Sequence, residues 1–336
     1  GALIAALQKS IEETAAFMMK YEVDLESIKK AEGFRRIELL DNAVEALVKT
    51  DNIKRRYLDM NNQVRRLYKA ILPDPEAREF ARDTAPIHVI AQKIRNLTGP
   101  PDISGVMKEV ESLLDQSIAA EGYVIRETLT PMGKDHRIDL SRIDFEALEE
   151  KFKKGKKHTL TERLKGSIFQ KVQRMVRQNR SRMNYLERFQ QLIDAYNSGS
   201  LNVEEFFKQL MEFAKSLNEE EQRAMVEHLT EEELAVFDLL TKPEMTLTDK
   251  ERDQVKKTAK ELLDTLKHEK LVLDWRKRQQ ARADVRVTIE KILDAGLPDT
   301  YNPKIFKMKS ASLFQHIYDS YYGGGRSVYA VAGQLP

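Results

Sequence analysis

The residues best suited to chemistry in this sequence are a run of cations near its middle. Residues 151–188 hold 13 Lys or Arg against two Glu, a net formal charge of +11. Crowded side chains of this kind attract phosphate groups without reading a base sequence. The candidate phosphate contacts are Lys151, Lys153, Lys154, Lys156, Lys157, Arg174, Arg177, Arg180 and Arg182. The run therefore predicts contact with the backbone of a nucleic acid.

Internal pairing is the competing interpretation of the same run. Residues 201–250 hold 13 acidic side chains against five basic ones, a net formal charge of −8. Charge runs usually stay solvated or pair within the molecule, so the two segments can neutralise one another. Aromatic residues such as Phe152 and Phe169 are sparse among the cations, which argues against a stacking platform for a single strand.

Motifs for catalysis are missing from the sequence. Gly155 and Lys156 lack a glycine five residues earlier, and Lys157 stands where a phosphate-binding loop needs Ser or Thr. The six His are too scattered to place two on one helical turn, and the absence of Cys removes thiolate ligands and thiol nucleophiles. Most carboxylates fall in predicted first helical turns, where they complement the helix dipole. No metal site is expected, and a small helical enzyme with an unrecognised site is the least favoured interpretation.

The elements that carry these residues are predicted to be helices. Thr248 and Glu251 form the S/T-x-x-E pattern of a helix start, in which each side chain bonds the backbone N–H of the other. Similar pairs occur at Thr159 with Glu162, Asn202 with Glu205, Asn218 with Glu221, and Thr230 with Glu233. Apolar residues follow each start at helical spacing, and Pro243 ends the helix that precedes Thr248. These signals predict an all-α fold, a bundle-like array of consecutive antiparallel helices.

One stretch departs from the helical pattern. Residues 123–141 contain short β-favouring runs around Pro131 and Gly133, which predict a small β-hairpin or an extended connector. The predicted domains are an N-terminal helical subdomain at 1–122, the connector at 123–141, a C-terminal helical subdomain at 142–297, and a terminal helix with a flexible tail at 298–336. The tail is predicted from the three glycines that begin at Gly323.

The terminal helix has an apolar and partly aromatic face. Its members, at steps of one and three residues, are Leu313, Phe314, Ile317, Tyr318 and Tyr321. The helix before it is predicted to carry Trp275 and to end near Gly296. Two interpretations compete for this face: it packs into its own domain, as such stripes usually do, or part of it docks a partner protein together with Trp275.

The composition also limits the compartment. The longest apolar runs are far too short to span a bilayer, so no membrane partner is expected. A chain without Cys fits a reducing cytoplasm, and no signal segment opens the sequence. Because the sequence begins with Gly rather than Met, we expect it to be an internal piece of a longer protein.

Four blocks of the sequence together resemble a known family. The blocks are RRLYKAILPDPEAREF at residues 65–80, RIDLSRIDFEALEEKF at 137–152, RFQQLIDAYNSGS at 188–200 and LTEEELAVFDLLTKPEMTLTDKERDQVKKTAKELLDTL at 229–266. In this order they resemble the C-terminal helical region of the motor and endonuclease (R) subunit of type I restriction enzymes, over about residues 11–318.

The resemblance implies a function that the residues alone do not. Such a bacterial subunit carries a nuclease domain and two helicase-type ATPase domains, uses ATP and Mg²⁺, and cleaves double-stranded DNA after translocation, in complex with methyltransferase (M) and specificity (S) subunits. Those catalytic motifs are missing here. The chain is therefore expected to be a non-catalytic, cofactor-free region that couples the motor to the M and S subunits and contacts the DNA backbone. An independent helical nucleic-acid-binding protein is the alternative.

Overall fold

The computed structural model describes residues 2–72, 79–98, 140, 143–243 and 245–330. Within these residues the chain forms thirteen α-helices and one two-stranded sheet, which confirms the predicted all-α class. The helices are α1 (Ala2–Met19), α2 (Leu25–Lys30), α3 (Gly33–Leu47), α4 (Asp51–Ile71), α5 (Ala81–Thr98), α6 (Phe145–Lys154), α7 (Lys157–Gln178), α8 (Met183–Asn197), α9 (Val203–Val226), α10 (Glu231–Thr241), α11 (Asp249–Thr265), α12 (Gln279–Gly296) and α13 (Pro303–Ser320). Strands β1 (Tyr321–Gly323) and β2 (Arg326–Ser327) follow α13. The connector predicted at 123–141 lies outside the described residues, apart from Leu140.

Three of the predicted helix starts are confirmed. At α10 and α11 the Thr side chain and the Glu three residues later bond each other's backbone N–H, as a capping box requires. At α9 the Asn202 side chain accepts from Glu205 N at 2.9 Å, and Glu205 accepts from Asn202 N at 3.1 Å. These bonds satisfy backbone donors that a helix start leaves without intrahelical partners.

Two of the predicted helix starts are wrong. No helix starts at Asn218, because α9 runs unbroken from Val203 to Val226 and Asn218 instead accepts a hydrogen bond from Lys171 Nζ at 2.5 Å. The helix predicted to start at Thr159 begins at Lys157. There Glu45 of α3 accepts from the backbone N–H groups of His158 and Thr159 at 2.8 and 2.7 Å. A carboxylate distant in sequence supplies the cap, and local spacing does not reveal it.

One compact unit, called unit 1, comprises Gly1–Gln170 and Gln191–Ala214. In it α1 packs along α4, and α5 packs on α2, α3 and α4. The buried Tyr57 of α4 donates its hydroxyl to the Ile87 carbonyl of α5 at 2.8 Å. The apolar faces of α1–α5 thus share one core.

A second compact unit, called unit 2, comprises Lys171–Gln190 and Lys215–Pro336. Here α10 to α13 pack as consecutive neighbours, and α10 also contacts α13. The fully buried Trp275 lies in the turn before α12, so the prediction that places it on that helix is wrong. The domain bounds predicted from the sequence stay a prediction.

The segment that follows α13 is an ordered hairpin as far as residue 330. β1 and β2 pair antiparallel, with Tyr321 opposite Ser327 and Gly323 opposite Arg326. The three glycines have φ values of 90°, 61° and 78°, the left-handed region that a tight turn uses and that glycine adopts without steric cost. Trp275 Nε1 donates to the Tyr321 carbonyl at 3.1 Å, which ties the hairpin to the core of unit 2. The glycines that were predicted to open a flexible tail form the turn of this hairpin, and residues 331–336 of the predicted tail lie outside the described residues.

Candidate nucleic-acid interface

The junction of α6 and α7 in unit 1 carries five of the nine predicted phosphate contacts. α6 begins after Asp144, whose side chain accepts from two backbone N–H groups of the first turn at 3.1 and 3.0 Å. Phe152 points inward and stacks on Phe207, with 3.9 Å between the ring centroids. The last turn of α6 presents Lys151, Lys153 and Lys154. Cations are favoured there because the C-terminal end of a helix dipole is negative.

These three lysines are exposed and weakly held. Lys153 Nζ lies 3.0 Å from Glu149, a hydrogen bond that raises the pKa of the lysine, and Lys154 Nζ lies 3.2 Å from Glu150. The Lys154 side chain is 80% exposed. Exposed ion pairs of this kind contribute little to stability. A phosphate can therefore replace the carboxylates at little cost.

The next two lysines are held more firmly. Lys156 Nζ donates to the Asn42 side chain of α3 at 2.9 Å. Lys157 Nζ lies 2.6 Å from Glu204 and 5.6 Å from the centre of the Phe152 ring. The hydrogen bond from Lys157 lowers the pKa of Glu204, which favours the charged carboxylate. Glu204 belongs to the acidic segment, as internal pairing predicts.

The four arginines of the predicted set lie in unit 2. Arg174 lies 3.2 Å from Glu221, and Arg180 pairs with Asp319. Arg182 is 1% exposed and bonds Glu220 and Glu231, both at 2.9 Å. Burial opposes its charge, but the bonds to Glu231 and Glu220 outweigh burial and raise the pKa of Arg182. The fourth, Arg177, is exposed. Because the Arg182 guanidinium is buried and bonded to two carboxylates, it stabilises the fold and is not exposed for contact with a phosphate.

Two lysines and two carboxylates form a neutral, largely buried cluster in unit 1, in which Glu162 and Lys165 are buried and Asp51 and Lys54 are half-buried. Lys165 Nζ lies 2.6 Å from both Asp51 and Glu162, and Lys54 Nζ contacts the same two side chains. Burial opposes ionisation of Asp51, but Lys165 and Lys54 hold its pKa well below the usual range. Asn197 completes the cluster by donating to Asp51 at 3.0 Å. Each of the four charged side chains has partners of opposite charge. Because the members belong to α4, α7 and α8, the cluster links these three helices.

Most of the predicted docking residues lie in the core of unit 2. The buried members are Trp275, Leu313, Ile317 and Tyr321. Phe314 and Tyr318 are half-buried, and each carries an arginine on its ring: Arg286 Cζ lies 4.5 Å from the Phe314 centroid and Arg276 Cζ 4.6 Å from that of Tyr318. Of the predicted face, Phe314 and Tyr318 therefore remain partly at the surface, together with the two arginines that cover their rings.

A further group of cations on α4 was missed by sequence analysis. Its members are Arg56, Arg65, Arg66 and Lys69. They line a cavity of about 740 Å³ in unit 1. The two Arg-Arg pairs in the sequence could have drawn attention to them, but only the apolar positions of this helix entered the prediction. The cations line one cavity because Tyr57 and Val64 turn the opposite face of α4 into the core.

Two other kinds of site can be assessed in the part of the chain that the structure describes. There, no group of three or more His, Asp or Glu side chains could hold a metal ion. None of the described helices combines the length and apolarity needed to cross a membrane.

Comparison with known proteins gives a family and one relative. Residues 2–317 match the family described as type I restriction enzyme HindI endonuclease subunit-like, C-terminal. A Methanocaldococcus jannaschii protein with the provisional name type I restriction enzyme MjaIXP endonuclease subunit is 25% identical over 300 residues. The alignment covers 86% of this chain but 27% of that protein, so the chain spans about a quarter of its relative's length. No solved structure matches the chain.

Proposed function

Because the chain belongs to the C-terminal family of type I restriction enzyme HindI endonuclease subunit-like proteins, we propose that it couples an ATP-driven DNA motor to the M and S subunits. In this proposal the motor and nuclease reside elsewhere in a longer subunit, which uses ATP and Mg²⁺ in the cytoplasm. This region itself carries out no catalysis. The family match over residues 2–317 is the observation that carries the proposal.

Contact with DNA is the first part of the proposed role. Among the cations of the basic run, Lys151, Lys153 and Lys154 best suit phosphate contact, because all three are exposed and the carboxylates paired with Lys153 and Lys154 lie on the same helix. Arg182 is left out because Glu220 and Glu231 enclose its guanidinium. Contacts of this kind hold DNA of any sequence, as a translocating enzyme requires.

Contact with the M subunit is the second part. The half-buried Phe314 and Tyr318, with the arginines stacked on them, offer an aromatic and cationic surface on α13 and its neighbours. Aromatic residues and Arg carry much of the binding energy in protein interfaces. We assign the M subunit to this surface because the proposed coupling needs a partner surface outside the core of unit 2.

The proposed coupling is tested by co-purification of the full-length subunit with the M and S subunits. The test variant is Arg276→Glu with Arg286→Glu, and Lys304→Glu is the control, an exposed charge reversal in the same unit. We expect the test variant to lose association at least tenfold while its melting temperature and ATPase activity stay near those of the wild type. The control should associate normally.

Each part of the proposal has an outcome that overturns it. If the test variant associates like the control, the M subunit does not dock on this surface. If a subunit lacking this whole chain still assembles with M and S, the coupling role is wrong. ATP hydrolysis or DNA cleavage by the purified 336-residue chain would contradict the non-catalytic assignment. DNA binding without any association with M and S would favour an independent nucleic-acid-binding protein.

A further inference from the structure

We propose that the cavity between α1 and α4 of unit 1 binds the phosphate backbone of duplex DNA. This contact goes beyond the proposed function, because it involves none of the cations in the basic run and does not depend on the M or S subunits. The cavity is formed by Glu13 of α1 and by one broad face of α4. Its cationic lining consists of Arg56, Arg65, Arg66 and Lys69.

Within the described residues, the positive charges of this cavity exceed its negative charges and have no carboxylate partners. The four cations outnumber the two acidic lining residues, Glu13 and Asp59. All four cations are exposed, and none of their side chains makes a hydrogen bond or ion pair within the part of the chain that the structure describes. The arginines at 174, 180 and 182 contrast with them, since each of these has a carboxylate partner. Because these cations have no carboxylate partners among the described residues, the cavity of about 740 Å³ attracts an anionic ligand.

The neighbouring helix α5 adds to the positive potential. Arg95 of α5 donates to Asn62, a cavity-lining residue, at 2.8 Å. Burial and then the charge of Arg65 lower the pKa of Arg95. Burial and then Arg65, Arg95 and Lys69 lower the pKa of His88. These mutual repulsions show that positive charge accumulates on this side of unit 1, and an anion there would relieve them.

The spacing of the cations fits an extended polyanion. Arg56 and Lys69 are 13 positions apart, which corresponds to about 20 Å along a helix axis. One strand of B-DNA carries a phosphate about every 3.4 Å along its axis. A duplex lying parallel to α4 would therefore place about six phosphates of one strand along these cations. A mononucleotide would reach cations at one end of the helix only.

The lining also favours duplex over single-stranded nucleic acid. Single strands are held without sequence preference by aromatic side chains on which bases stack. Among the described residues, no aromatic side chain lines the cavity. The available groups are guanidinium, ammonium and amide donors, which suit phosphate oxygens that both strands of a duplex present.

The inference is tested with the 336-residue chain and a duplex of mixed sequence, by fluorescence anisotropy over a range of salt concentrations. The cavity variant replaces Arg65, Arg66 and Lys69 with Gln. A matched control replaces Lys30, Arg35 and Arg36, three exposed cations of unit 1 outside the cavity lining, with Gln. A third variant replaces Lys151, Lys153 and Lys154 with Gln.

The cavity variant is expected to bind several-fold more weakly for each lost contact at about 0.1 M salt, and the slope of log K against log salt should fall by about 0.9 per contact. The control should keep the wild-type slope. Equal behaviour of cavity variant and control overturns the inference. Because all three sites are exposed, circular dichroism should show an unchanged fold, and the single change Arg66→Gln serves the same test if the triple variant unfolds.

The variants and probes separate this inference from the proposed function. Weakening confined to the variant at Lys151, Lys153 and Lys154 overturns the cavity site but keeps the proposed DNA contact of α6. If only the cavity variant binds DNA more weakly, the cavity site is kept and the proposed DNA contact of α6 is overturned. Single-stranded DNA that binds as tightly as the duplex, with the same loss in the cavity variant, overturns the assignment of duplex. Absence of any DNA binding by the wild-type chain overturns both sites but leaves association with M and S as a separate measurement.

Discussion

His316 illustrates how a single buried side chain links the stability of unit 2 to pH. Ser320 Oγ lies 3.3 Å from its Nδ1, and Tyr329 OH lies 3.2 Å from its Nε2. Burial, reinforced by Arg180 and opposed by Asp319, lowers the pKa of His316 to about 4. The neutral ring is therefore part of the native packing. The sequence could not single it out, since it is one of six scattered His.

The pKa of His316 predicts a loss of stability in mild acid. Its folded-state pKa of about 4 lies below the ordinary 6.5, so between these values the unfolded chain binds more protons. Stability is complete above pH 6.5 and falls as the pH drops toward 4. From pH 7.5 to pH 5 this group should cost the native state about 2 kcal/mol.

The variant His316→Gln removes this titration while keeping a polar side chain near Tyr329 and Ser320. Urea unfolding at pH 7.5 and pH 5 should show that the variant loses about 2 kcal/mol less than the wild type over that interval. His88 and His158, whose pKa values burial also lowers, stay in both proteins and cancel in the comparison. Equal pH dependence of the two proteins would contradict the prediction.

At the scale of elements, the sequence predicted the helix starts that depend on residues close together along the chain. Three capping pairs were predicted correctly, because the Thr or Asn side chain and the Glu are three residues apart and bond each other locally. The pair at Asn218 has the same spacing, but its side chains bond Lys171 and Arg174 of another helix. The start of α7 depends on Glu45, more than a hundred residues away. Such contacts arise from the tertiary fold, so spacing cannot separate them from local caps.

The terminal hairpin was missed for a similar reason. Three consecutive glycines suit both a flexible tail and a tight turn, and the difference is made by contact with Trp275 and Val272. A Cβ added at Gly323 would collide with the Val272 carbonyl oxygen and lie 3.0 Å from Trp275 Cδ1, whereas one added at Gly325 would meet open space. Both positions have positive φ. Alanine substitutions at Gly323 and Gly325 therefore share the cost of backbone strain and differ in the cost of packing.

The prediction is that Gly323→Ala destabilises unit 2 much more than Gly325→Ala. Left-handed backbone costs an alanine roughly 1–2 kcal/mol at either site, and the collision at Gly323 should add about 2 kcal/mol. Denaturant unfolding followed by fluorescence of Trp275, the single Trp of the chain, measures both. Equal losses would mean that the hairpin does not pack on the turn around Trp275.

At the scale of the whole molecule, the basic run divides into cations with different roles. Sequence charge alone grouped nine of them, and it could not tell exposed lysines on α6 from an arginine enclosed by Glu220 and Glu231. It also passed over Arg56, Arg65, Arg66 and Lys69 of the α4 cavity, where the local net charge is smaller but these four side chains have no partners among the described residues. Exposure and pairing decide which cations can meet a phosphate, and both require the folded structure. The helical class and the family resemblance, by contrast, were available from patterns within the chain.

The two roles predict opposite consequences for Arg182 and for the exposed lysines. Arg182→Gln leaves Glu220 and Glu231 without their shared cation, and breaking a buried ion pair in this way costs about 3 kcal/mol. We expect that loss in urea unfolding at pH 7.5, while the affinity of the folded variant for duplex DNA stays at the wild-type value. Lys153→Gln with Lys154→Gln should leave the free energy of unfolding nearly unchanged, because their exposed ion pairs contribute little to stability. The same variant should bind duplex DNA more weakly, and each lost phosphate contact should flatten the salt dependence of binding. Both experiments remove cations from the same basic run, so each serves as the control for the other. If folded Arg182→Gln binds DNA more weakly than the wild type, the guanidinium must leave its carboxylates to contact DNA. The division into stabilising and DNA-binding cations would then be wrong.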